Sequence, residues 1–106
     1  MIRIDIKRSQ NGNMVGFLVS GHAGFAEYGS DIVCASVSVL VINCINSIET
    51  YSNTAFVATE DERTGIIEFT CEGEMDEAAT LLLNSLVLGL RGIQEEYGNE
   101  YVTLHQ

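Results

Sequence analysis

Apolar and charged residues alternate at the start of the chain, where Ile2, Ile4 and Ile6 are separated by Arg3, Asp5 and Lys7. A two-residue period is that of a strand with one buried face. Asn11-Gly12-Asn13 supplies turn chemistry, and a second strand is expected over about Met14 to Ser20, so the first two elements should form a hairpin closed by Gly21. From His22 to Ser30 the periodicity is lost, and Gly24 and Gly29 interrupt the segment, which reads as a loop with wide backbone freedom.

Ser30 or Asp31 can cap a helix running to about Tyr51. Its apolar residues (among them Ile32, Val33, Val37, Val39, Val41, Ile42, Ile45 and Ile48) point in several directions, so it needs cover on more than one side, from a second helix, a partner subunit or both. A second hairpin is expected from strands near Ala55 to Glu60 and Ile66 to Glu72, joined by Asp61-Glu62-Arg63-Thr64-Gly65. Asp76 then caps a helix whose stripe of Leu82, Leu86, Leu90, Ile93 and Tyr97 is widened by Leu83 and Val87 and stopped at Gly98. Tyr101 to Leu104 can add a short strand. The expected fold is α+β: a mostly antiparallel sheet from two β-hairpins packed with two helices, in the order ββαββα with that short C-terminal strand, as one domain over residues 1–106.

Composition narrows the functional classes. With 46% hydrophobic and 19% charged residues the chain is that of a globular protein. The run from Ile32 to Ile45 is shorter than the roughly 20 residues of a membrane span and contains Ser36, Ser38 and Asn43, so no membrane partner is expected. The first residues lack the basic start and apolar run of a secretory signal, which points to the cytoplasm. A net charge of -10, from 15 acids against 5 Lys and Arg, disfavours direct nucleic-acid binding and suits a basic protein or peptide. Three cysteines cannot all pair within one chain and are expected as thiols.

Cys34 falls in the first turn of the first helix, where unpaired N–H groups and the helix dipole favour negative charge and a lowered thiol pKa. His22 lies twelve positions earlier, at the other end of the glycine-bearing loop, and such a loop can fold imidazole back onto sulfur. Spacing alone also permits a plain alternative, in which Cys34 is one member of a core stripe with Val41, Ile45 and Ile48 and His22 ends a strand facing water.

The string Gly21-His22-Ala23-Gly24-Phe25-Ala26-Glu27-Tyr28-Gly29-Ser30-Asp31-Ile32-Val33-Cys34-Ala35-Ser36-Val37-Ser38 is more specific. It resembles the signature of the ribosomal-processing cysteine protease family, also called Prp or YsxB-like. The Gly-His-Ala opening, Gly29, Asp31, the Val-Cys-Ala triplet and Ser38 stand at the family's spacing, and chain length and element order agree. These eighteen residues are about a sixth of the chain; elsewhere the likeness is one of pattern and size. The resemblance implies a cysteine endopeptidase with Cys34 as nucleophile and His22 as partner, which removes a short N-terminal extension from the bacterial large-subunit ribosomal protein L twenty-seven. It implies no cofactor.

Other residues of the string have double readings. Asp31 can orient His22 or simply cap the helix, and Ser38, one turn beyond Cys34, can line a pocket or bond back to a helix carbonyl. Gly21, Gly24 and Gly29 suit a loop that closes around substrate. Phe25 and Tyr28 can contact aromatic residues near the cut, which the family's cleavage sequence contains, or anchor the loop. Backbone N–H groups at the helix start, that of Cys34 included, are the expected oxyanion donors. Cys44 and Cys71 read as core residues, His105 as exposed, and the five His and Cys positions lack the paired spacing of a zinc site. A homodimer through leftover helix surface is expected. The rival functions are a ribosome-assembly binding module that does not cut, and a redox-sensing thiol protein.

Overall fold

A computed structural model describes residues 1–24, 26–27 and 31–106. The elements are β1 (Ile2–Arg8), β2 (Met14–Ser20), α1 (Ile32–Tyr51), β3 (Ala55–Asp61), β4 (Ile66–Glu72), α2 (Glu77–Tyr97) and β5 (Val102–His105). The expected α+β order holds, and the C-terminal strand is present. All five strands form one sheet in the order β3-β4-β2-β1-β5. Both hairpins are antiparallel, β2 joins them by pairing antiparallel to β4, and β5 returns parallel to β1 with Ile2 opposite Val102.

Alternation puts Ile2, Ile4 and Ile6 on the buried face, as the pattern requires. On β2 it breaks once: Lys7 faces Gly16 but Arg8 faces Met14, so Val15 is an extra residue. An inserted residue resets the side-chain parity. Met14 and Phe17, three positions apart, are therefore both buried. Phe17 lies opposite Phe69 with ring centroids 5.3 Å apart, and Phe56 of the edge strand adds its ring 4.9 Å from Phe69. Stacked and tilted rings at these separations hold the centre of the sheet.

Helix α1 buries Val33, Val37, Val41, Cys44 and Ile48, spaced three or four apart along one face, and α2 packs beside it, burying Ala79, Leu83, Leu86, Val87 and Leu90. At 20 residues α1 is long and apolar enough to cross a membrane, longer than the expected run to Ile45, but its Val33–Ile48 face belongs to the hydrophobic core. Asp76 joins the two helices. Its carboxylate accepts from the Ala79 N–H that starts α2, from the Ser52 hydroxyl that ends α1, and from the Asn53 N–H, at 2.7 to 2.9 Å. α2 covers one flank of α1, and Ile32, Val39 and Ile42 stay exposed.

Candidate active site

The site forms where β2 hands the chain to the start of α1. Gly21 has φ +85°, and a Cβ there would lie 2.3 Å from the Met1 carbonyl oxygen, so only glycine permits this crossing. The chain is thereby held against the first strand as it delivers His22, Ala23 and Gly24. Ala23 is buried in the core, 3% exposed, and its backbone N–H donates to Cys34 Sγ at 3.2 Å. Asp31 is the N-cap of α1: its Oδ1 accepts from the N–H groups of Val33 and Cys34, each at 3.0 Å. That bond sets the first turn and thus the position of the sulfur.

Cys34 and His22 border two adjoining cavities. One of about 440 Å³ is lined by His22, Gly24, Ala26, Asp31, Cys34, Ala35 and Ser38. The other, about 210 Å³, has an apolar wall of Ile2, Val19, Val37, Val41 and Ile67, closed by Gly21, His22, Cys34, Ser38 and Gly65. A half-buried thiol and an exposed imidazole thus share a cleft with an apolar floor. A thiol and an imidazole at one cleft are groups that can serve nucleophilic attack on a carbonyl.

The electrostatics correct two expectations. The start of α1 does not by itself lower the Cys34 thiol pKa. Burial pushes the Cys34 thiol above its ordinary pKa; the Ala23 N–H pulls it down, and the neighbouring Asp31 carboxylate pushes it up again. A helix mouth favours negative charge, but Asp31 already supplies that charge and has taken the donors. For the same reason the Cys34 N–H is not an open oxyanion donor: it is bonded to Asp31.

Of the residues singled out in the sequence, Gly21, His22, Ala23, Gly24, Asp31 and Ser38 all gather around Cys34. Phe25, Tyr28 and Gly29, with Ser30, lie outside the described residues. Asp31 is the helix cap. The hydroxyl that bonds back to a helix carbonyl is that of Ser36, to Ile32 at 2.6 Å, whereas Ser38 opens onto both cavities. Cys44 and Cys71 are core residues, and burial raises both thiols, that of Cys44 to about 11. His105 is exposed on β5 against Thr103. Among the described residues no three His, Cys, Asp or Glu side chains gather to hold a metal ion. Sequence reasoning missed Gly65 and Ile67, which reach the cleft from the second hairpin; only the sheet order, with β4 beside β2, brings them there.

The profile of the family described as Cysteine protease Prp matches residues 1–103. The ribosomal processing cysteine protease Prp of Staphylococcus aureus (strain Mu50 / ATCC 700699) is 30% identical over 105 residues, covering 99% of this chain and 98% of that protein. The protein of the same name from Bacillus subtilis (strain 168) is 30% identical over 101 residues, covering 92% of this chain and 90% of the relative. The crystal structure of an essential ribosomal processing protease Prp from S. aureus, in complex with a covalently linked product peptide, superposes with a TM-score of 0.92 at 30% identity, covering 99% of this chain and 98% of that one. A signature that converges on one cleft and a likeness that spans the whole fold agree: the chain belongs to the Prp family of ribosomal processing cysteine proteases.

Proposed function

We propose that this chain cuts a short N-terminal extension from the precursor of ribosomal protein L twenty-seven, with Cys34 as nucleophile and His22 as its proton-handling partner. The observation that carries this reading is the meeting of His22 and Cys34 at one cavity in a member of this family. The S. aureus relative crystallised with a covalently linked product peptide supports the covalent route. Because burial and Asp31 favour the neutral thiol in the free protein, the thiol proton passes to His22 as general base when the sulfur meets the bound carbonyl. The sulfur then attacks the scissile carbonyl, His22 protonates the leaving amine, and water admitted afterwards hydrolyses the thioester with His22 as base.

The acidic chain, at net charge -10, attracts the basic precursor and speeds encounter, which fits action in the cytoplasm during ribosome assembly. Exposed Ile32, Val39 and Ile42 lie along α1 beside the cleft and are the surface through which two copies pair. Val39→Lys should therefore shift sedimentation from dimer to monomer; a native chain that already sediments as a monomer would remove the pairing. The function itself is tested with a peptide that bears the extension. Cleavage at one bond, lost in both Cys34→Ala and His22→Ala, is expected, and tight binding without product would replace the peptidase by a binding module.

A further inference from the structure

Three of the amides at the start of α1 are already committed. Val33 and Cys34 donate to Asp31 Oδ1, and Ala35 donates to the Asp31 carbonyl at 3.1 Å. A different amide faces the sulfur: the N–H of Ala23, 3.2 Å from Sγ. Ala23 is buried, and the crossing at Gly21 against Met1 fixes the segment that carries it. Its chain neighbours His22 and Gly24 line the larger cavity, so a carbonyl entering there meets the sulfur and this amide together.

The geometry points to the backbone N–H of Ala23 as the oxyanion donor of this peptidase, a catalytic contact that deepens the function proposed above and rests on it. Attack forms the Sγ–C bond while the carbonyl π pair moves onto oxygen. The sulfur loses its charge as the adjacent oxygen gains it, and the Ala23 hydrogen bond passes from one to the other. Collapse returns the pair to the carbonyl and breaks the C–N bond, and the leaving nitrogen takes the proton held by His22. The donor is held at the reacting sulfur in the free protein, so it has only to pass to the adjacent oxygen as charge develops there. The Ala23 methyl is buried in the core cluster and takes no part.

Side-chain substitution leaves a backbone donor in place, so the test alters the backbone. Cys34 is a natural ligation junction: a synthetic segment 1–33 joined to residues 34–106 gives the full chain, and an ester in place of the amide between His22 and Ala23 removes the N–H while keeping every side chain. With the extension-bearing peptide, the ester chain should lose about 10²- to 10³-fold in kcat with KM little changed. Its apparent pKa for alkylation of Cys34 by iodoacetamide should also rise, because the sulfur anion has lost its donor. Should the ester chain fail to fold, as judged by its thermal melt, Ala23→Pro also lacks the N–H and decides by the same two readouts. Turnover within about threefold of the ligated unmodified chain, or an unchanged alkylation profile, overturns the assignment. If the unmodified ligated chain cuts no peptide, the peptidase reading has failed instead, and the alkylation profile alone decides whether Ala23 serves the sulfur anion.

Discussion

The carboxylate of Asp31 accepts the backbone N–H of Cys34 at 3.0 Å, so the residue that starts the helix also places a negative charge beside the Cys34 thiol. One bond thus does two things of opposite sign. It fixes the sulfur in the first turn, and it favours the neutral thiol until a substrate arrives.

Asparagine at this position separates the two effects, because it caps a helix as well as aspartate does but carries no charge. Asp31→Asn should leave the melting temperature nearly unchanged and should lower the Cys34 pKa, so that iodoacetamide alkylates the free protein severalfold faster at neutral pH. Asp31→Ala should in addition cost about 1 kcal/mol of stability through the lost cap. Alkylation no faster in Asp31→Asn than in the native chain would remove the carboxylate as a control on the sulfur.

Asp76 gives the fold a defined acid limb. The Ala79 N–H first, then the Asn53 N–H and the Ser52 hydroxyl, hold its carboxyl down to about 2 from an ordinary 3.8. A carboxyl whose folded pKa lies below its unfolded value stabilises the fold above the unfolded value, and loses that contribution as pH falls through the folded one. Stability should therefore decline between about pH 4 and pH 2 in the native chain, and the decline should be shallower in Asp76→Ala, whose stability near neutral pH is lower throughout. Denaturant melts at a series of pH values measure both slopes.

Gly16 tests the centre of the sheet. A Cβ there would stand 2.1 Å from the Phe69 carbonyl oxygen, a backbone atom that cannot swing aside. Gly16→Ala should thus push β2 from β4 and cost about 3 kcal/mol, the upper range for overpacking. Phe69→Ala, which empties the stack between Phe17 and Phe56, should cost about 3–5 kcal/mol. Denaturant midpoints close to native in both variants would contradict the packing described.

The elements were legible because their signals are local. Ile2, Ile4 and Ile6 announce a strand, Asp31 and Asp76 cap their helices, and Gly98 ends the second. The sheet order was not, since pairing β2 with β4 and returning β5 parallel to β1 depend on contacts between distant segments. Nor was the extra residue at Val15, which lies in a run of apolar residues that does not show which side faces the core.

The site divides the same way. His22 and Cys34 stand out through the eighteen-residue string, but what raises the Cys34 thiol, burial first and the Asp31 charge after it, belongs to the folded surroundings rather than to the helix mouth alone. The Ala23 donor is a backbone group, so its side chain gives no hint of it. Gly65 and Ile67 reach the cleft only through the sheet order.

The central claim is that Cys34 carries a covalent bond to the amino-terminal part of its substrate during cleavage. Intact-mass spectrometry of the chain, quenched in acid within the first turnover of an extension-bearing precursor, measures this directly. The account predicts an adduct equal in mass to the released extension less one water, mapped to Cys34 and absent in Cys34→Ala. Full-speed cleavage by Cys34→Ala would contradict it.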